Sequence, residues 1–338
     1  MKTHPISAPP LPPLLNLPTP WSTLVLLGML WGQGLAATLY VENSVGQSVL
    51  ALDADSGRLL ATIALPSAPR GLALCPRQNR LYVAGGDAGT VSVVETDSNK
   101  VSRTVKVGSA AWGLALSLDC ARLYTAGAGN GRLAVLDTAD YSVRAVEVGH
   151  DPQNVALDPQ GRWLLSLNFG RPSSLSLLNP LTLARERTLS VADGPHSWAL
   201  SPDGKWLALG AVDSRKVQLI DTQSLQVVSS YHSEKAPEGL AFRKNDELWV
   251  SALNANYVDV LHLMQQAGQP MLMPQRYTTR VFTGQGPFGI AFSGDGRWAY
   301  VSAMSTGRVV KIDAQTRQVV ARFEVGGEPH RLVFSEGR

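Results

Sequence analysis

One segment, an alternating strand, a polar turn and a second strand, recurs along the whole chain. It stands as PFGIAFSGDGRWAYVSA at 287–303, PRGLALCPRQNRLYVAG at 69–85, AWGLALSLDCARLYTAG at 111–127, PQNVALDPQGRWLLSLN at 152–168, PHSWALSPDGKWLALGA at 195–211 and PEGLAFRKNDELWVSAL at 237–253. Half-copies stand at the two ends, TLYVEN at 38–43 and PHRLVFSEGR at 329–338. A unit this short cannot bury both of its faces alone, so a fixed period forces neighbouring copies to stack. The second-strand tyrosine position reads Tyr40, Tyr82, Tyr124, Leu164, Leu207, Trp249 and Tyr300, at spacings of 42, 42, 40, 43, 42 and 51 residues.

Each period holds four short strand signals separated by turns, with no helical periodicity; in the second copy they cover 71–74, 81–84, 90–95 and 101–107. Four antiparallel strands repeated seven times describe an all-β, seven-bladed propeller. The ends fit that count. The chain opens on the second strand of a blade and closes on a first strand at 330–334, so the last strand can complete the first blade and remove the free edges of an open array. The composition agrees: 44% hydrophobic, 17% charged, with 31 glycines and 21 prolines, is globular and rich in turns. The formal charge of +3 is scattered without a basic stripe, which argues against nucleic acid as a partner.

Residues 1–37 stand apart from the repeats. They hold no acidic residue, one lysine (Lys2), a proline-rich stretch and then the apolar core Trp21–Trp31, followed by the small residues of Gly34–Ala37. That order reads as a signal peptide with a proline-rich leader, and 38–338 as the propeller. The apolar core is too short for a stable span, so a periplasmic or secreted monomer is expected, with a retained amino-terminal anchor as the alternative. Cys75 and Cys120 fall on the same turn of neighbouring copies, so in an oxidising compartment they can pair; two separate thiols are the other reading.

The strands LYVEN, LYVAG and AYVSA, with the preceding P-x-G-[LI]-A-[LF] segment, resemble the YVTN-repeat seven-bladed propeller family of exported bacterial and archaeal proteins. The resemblance covers nearly all of 38–338. The departures are Leu164 for the tyrosine in blade four, and Asn154, Ser197 and Arg331 for the motif glycine. The resemblance implies the fold; for function it implies little, since such proteins include binding propellers, lactonases and partners of quinone- or haem-linked dehydrogenases. The small residues Ala73, Ala115, Ala156, Ala199, Ala241 and Ala291 are expected where inner strands converge on the axis.

Connections of a propeller gather around one mouth of the axial channel, and the residue after each motif proline should face it: Arg70, Trp112, Gln153, His196, Glu238, Phe288 and His330. A scaffold ring would repeat one residue type, so this diversity points to a ligand-binding surface for a small molecule or an envelope protein partner. His196, His330 and Glu238, with His150 nearby, are weak metal candidates, since no HxH or HxxxH spacing joins them; no metal is assigned and the cofactor is unknown. The insertion Met264–Gln275 in blade six carries Met271 and Met273, which suit an adaptable apolar contact more than a cuprous site, and a plain extended hairpin is expected ahead of either. No nucleophile elbow, phosphate loop or catalytic triad stands out, and the acids closing the third strands (Asp53, Glu95, Asp137, Asp221, Asp313) read as turn caps. The sequence therefore points to an exported, non-enzymatic binding or scaffold propeller, accessory to an envelope uptake or redox system. A lactonase-like hydrolase or a dehydrogenase-associated propeller using the same channel is the alternative.

Overall fold

Seven four-stranded antiparallel blades are arranged in a ring, and the first is closed by the last strand of the chain. The computed structural model describes residues 37–127, 131–266, 269–272 and 279–337. The segment assigned above to a signal peptide and Met273 lie outside them, except for Ala37. Pro329–Ser335 pairs with Thr38–Asn43, setting Phe334 against Leu39 and Leu332 against Val41. Every other blade follows its own chain order from an inner strand outward, as Gly71–Cys75, Arg80–Ala84, Thr90–Glu95 and Lys100–Lys106 do in blade two. Blade six adds a hairpin: its third strand, Tyr257–Gln266, is prolonged to pair with Gln269–Leu272. Leu272 is buried there, and its N–H donates to Ser229 Oγ of blade five at 3.1 Å.

Register corrects the alignment of blades four and five by one residue. Ala73 pairs with Tyr82 and Ala291 with Tyr300, and the same inner alanines Ala156 and Ala199 pair with Leu165 and Ala208, not with Leu164 and Leu207. A one-residue slip in a strand moves a side chain to the other face, so the correction changes which blade each residue touches.

Three of the four motif tyrosines reach the neighbouring blade, while Tyr82 donates to Gln78 Oε1 of its own blade at 3.1 Å. Tyr40 donates to Asn99 Oδ1 at 3.3 Å, Tyr124 to the Pro180 carbonyl at 3.3 Å and Tyr300 to the Ala54 carbonyl at 2.9 Å, in each case a turn of the following blade. A buried phenol needs such a partner, and the bond also fixes the angle between blades. Leu165 has no hydroxyl, and Arg162 replaces it: held by Asp158, it reaches the Gly204 carbonyl at 3.3 Å and Thr222 Oγ1 at 3.1 Å in blade five. In blade six Trp249 donates to Glu247 Oε1, and Arg317 of blade seven grips Glu247 at 2.8 and 3.0 Å. Burial alone would raise the Glu247 pKa, but the bonds from Arg317 and Trp249, with the charges of Arg317 and Arg243, outweigh it and hold it below the ordinary value.

The motif glycines are explained by close approach. The carbonyl of the residue after each motif proline points back at the glycine of the preceding blade, so a Cβ on Gly289 would lie 2.6 Å from the His330 oxygen, and Gly71 and Gly239 meet Trp112 and Phe288 in the same way. Two departures from glycine turn the approach into a bond. Asn154 Nδ2 donates to the His196 carbonyl at 3.3 Å, and Arg331 Nη1 donates to the Arg70 carbonyl. The inner alanines lie between blades, at 8% exposure for Ala73 and Ala115 and none for Ala156. Asp53, Asp137, Asp221 and Asp313 cap their turns by accepting backbone N–H groups; Glu95 differs and accepts from Ser102 Oγ at 2.8 Å. Cys75 and Cys120 are joined by a disulfide that links blades two and three, with the Cα atoms 6.2 Å apart.

Candidate functional site

Because five inner strands begin on their motif proline and the other two within three residues of the equivalent position, the seven side chains predicted for the mouth come from equivalent places in seven blades. All seven are half-buried. Six of them join as neighbouring pairs. The Arg70 guanidinium lies 5.3 Å from the Trp112 ring centre, His196 Nδ1 lies 2.8 Å from Glu238 Oε2, and the Phe288 and His330 rings stack at 4.9 Å and 17°. Gln153 turns to Asp151, donating to Oδ1 at 3.0 Å. Round the axis, Phe288, His330, Arg70 and Trp112 form one arc of flat groups, and Gln153, His196 and Glu238 form a polar arc.

Beneath the mouth lies a cavity of about 170 Å³ lined by Glu238, Phe288 and the motif-glycine positions, including Asn154, Ser197 and Arg331. These last three, read from sequence only as departures from a scaffold motif, are therefore channel residues. Glu42 was missed as well, although its signal is visible. It occupies the second-strand position where the other copies place Ala84, Ala126, Leu167, Gly210, Ser251 and Ser302. Fully buried, it accepts from the Arg331 N–H at 3.3 Å. Burial raises its pKa, against the opposing charges of Arg331 and Arg70.

The polar atoms here are unusually short of partners. Among the described residues, seven buried side-chain N or O atoms lack a hydrogen-bond partner, and five of them belong to Glu42, Trp112, His196, Ser197 and Glu238. For His196 and Glu238 the two orphaned atoms face each other at ion-pair distance but out of hydrogen-bond alignment. Orphaned buried polar groups cost about 1–3 kcal/mol each, and five of the seven gather at this one opening.

The metal candidates do not converge. Among the described residues no three His, Cys, Asp or Glu side chains are placed to hold an ion. Both ring nitrogens of His330 are engaged, Nδ1 with Ser44 Oγ at 2.8 Å and Nε2 with Met304 Sδ at 2.9 Å. His150 is exposed and lines a separate cleft with Arg132 and Arg185. Burial, together with Arg70 and Arg331, lowers the His330 pKa to about 4, against the pull of Glu238. The ring is thus neutral at neutral pH. The folded state binds this proton less readily than the unfolded chain, so stability is expected to fall as pH drops from about 6.5 towards 4. Denaturant midpoints at pH 7 and pH 5 check this; the His330→Gln variant should lose less stability than the wild type over that interval.

No protein-family model matches the chain, and no curated protein matches it in sequence. Solved structures do. The chain is similar to a putative 6-phosphogluconolactonase from Bacteroides fragilis, with a TM-score of 0.71 and 16% identity over 89% of this chain and 98% of that one. It is similar to a functionally unknown protein from Desulfotomaculum acetoxidans, with a TM-score of 0.72 and 13% identity over 89% and 99%. It is also similar to the dihydro-heme d1 dehydrogenase NirN, with a TM-score of 0.61 and 19% identity over 87% and 74%. At these identities the likeness shows a shared propeller fold and nothing about chemistry.

Proposed function

We propose that this protein is an exported, monomeric, non-enzymatic propeller of the YVTN-repeat type, with residues 1–37 as its signal segment, that binds a small molecule or an envelope protein partner at the channel mouth. The observation that carries this reading is the concentration of unpartnered buried polar atoms around one axial opening, on side chains that the repeat does not require. Donors and acceptors are both present: the Trp112 indole N–H and the Ser197 hydroxyl can donate, and the Glu42 and Glu238 carboxylates can accept. The flat arc offers apolar and cation–π surface to whatever those groups orient. The role extends, in this reading, to an accessory of an envelope uptake or redox system; the dihydro-heme d1 dehydrogenase NirN shares the fold.

A thermal-shift screen of small polar compounds tests the reading. A compound that stabilises the wild type is expected to lose its effect on the combined Arg70→Ala, His196→Ala, Glu238→Ala variant. Shifts that survive in the variant would place binding elsewhere. One observation favours a second reading, a lactonase-like hydrolase: His196 and Glu238 form a close acid–base pair at the mouth, and the putative 6-phosphogluconolactonase shares the fold. That reading requires turnover of a lactone by the wild type, abolished by the same three changes.

A further inference from the structure

The channel changes character along its length. Past the polar mouth, the inner strands line a second cavity of about 580 Å³ with side chains that include Leu72, Leu116, Leu157, Trp198, Phe292 and Phe334. Leu72, Leu114, Trp198, Leu332 and Val333 line both cavities, so the two are consecutive stretches of one passage. Leu72, Trp198, Phe292 and Phe334 stay only half-buried, with apolar surface left over after blade packing. At the upper end, the polar residues Asn154, Glu238 and Arg331 line the passage. Charged side chains of both signs surround that end, Arg70 and Arg331 beside Glu42 and Glu238.

We propose that the passage takes one uncharged amphiphile, its hydrogen-bonding head at the mouth and its apolar body in the lower cavity. This rests on the mouth being a binding site and names the class of ligand it takes. A mouth flanked by charges of both signs gives no advantage to a net charge, whereas a head that both donates and accepts can meet the Glu238 carboxylate and the Asn154 and Arg331 side chains that line the upper cavity. The lower cavity offers no polar side chain to a charged group but gives apolar contact to a hydrocarbon. Trp198, on the boundary, touches both halves and reports occupancy.

Primary amides test this, with affinities measured by titration calorimetry and by tryptophan fluorescence on the full propeller. Acetamide, butanamide and octanamide share a head and differ in body; octanoate and octylammonium keep the body and change the charge. Affinity is expected to rise about fourfold for each added methylene. Octanamide should bind at least tenfold tighter than either charged analogue, and Trp198→Phe should remove the part of its fluorescence response that acetamide does not share. Glu238→Ala is expected to weaken short and long amides by the same factor, and Phe334→Ala to weaken only the long ones; the wild-type chain-length series decides the matter even if a variant fails to fold. If acetamide binds and longer amides bind no tighter, the mouth site stands and the amphiphile is overturned. If octanamide binds equally to the protein and to the Arg70→Ala, His196→Ala, Glu238→Ala variant, the mouth is not the head site and both readings fall. Tighter binding of a charged analogue, or no binding of any amide at millimolar concentration, also overturns the proposal.

Discussion

Deleting residues 329–338 is expected to abolish the cooperative thermal transition and leave an aggregating chain. The segment supplies the inner strand of the first blade, so its loss exposes the unpaired edge of Thr38–Asn43 and opens the ring between blades seven and one. Leu332 is buried, and Phe334 stacks on Tyr300 at 5.7 Å; burying such side chains contributes about 1.5–3 kcal/mol each. Bonds between blades go too, since Ser302 Oγ donates to the His330 carbonyl and Arg331 to the Arg70 carbonyl. Against a total stability of about 5–15 kcal/mol, these losses are decisive, and the freed edge recruits other chains. Calorimetry and light scattering would show it, and a synthetic 329–338 peptide present during refolding should restore the transition. A truncated protein with a wild-type melting curve would mean that closure by the last strand is not what holds the ring.

The second large effect concerns the disulfide. Cys75 and Cys120 are 45 residues apart, and closing a loop of that length restricts the unfolded chain by about 4 kcal/mol in the chain-entropy picture. The bond also ties the first-to-second-strand turns of blades two and three, where the Gln78 side chain already donates to the Cys120 carbonyl at 3.3 Å. The double variant Cys75→Ser, Cys120→Ser is expected to melt roughly 10 °C lower. Reductant should lower the wild type towards the variant and leave the variant unchanged. Insensitivity of the wild type to reductant would remove the disulfide from the list of stabilising contacts.

Much of this fold is legible in the sequence because one strand–turn–strand unit repeats with few changes. The blade count, the strand order and the closing strand follow from the period alone. Legibility ended where local pattern stopped marking register. The runs Trp163-Leu164-Leu165 and Trp206-Leu207-Ala208 offer consecutive apolar residues, and only pairing with Ala156 and Ala199 identifies Leu165 and Ala208 as the tyrosine equivalents. Distance from the preceding turn would have marked them: Leu165 follows Asp158 by the same interval as Tyr300 follows Ser293.

The mouth shows the same division. Seven candidate positions could be named from the motif, but their pairing could not, because it depends on how far each side chain reaches towards the next blade. His196 of blade five meets Glu238 of blade six, and Phe288 of blade seven meets His330 of the closing strand. Asn154, Ser197 and Arg331 were visible as breaks in the glycine motif, and the structure supplies the reason for two of them: a polar side chain can hydrogen-bond the carbonyl that a glycine merely admits. Ser197 has no such bond: its unpartnered hydroxyl lies beside Gly210 of its own blade.

Native mass spectrometry of the protein, purified under gentle conditions from the organism's own envelope fraction, tests the binding role most directly. A propeller that serves as a receptor at its channel mouth should carry a retained small mass, and that mass should be missing from the Arg70→Ala, His196→Ala, Glu238→Ala variant prepared in the same way. Identical spectra from the two proteins, whether bare or loaded, would contradict a ligand site at the channel mouth.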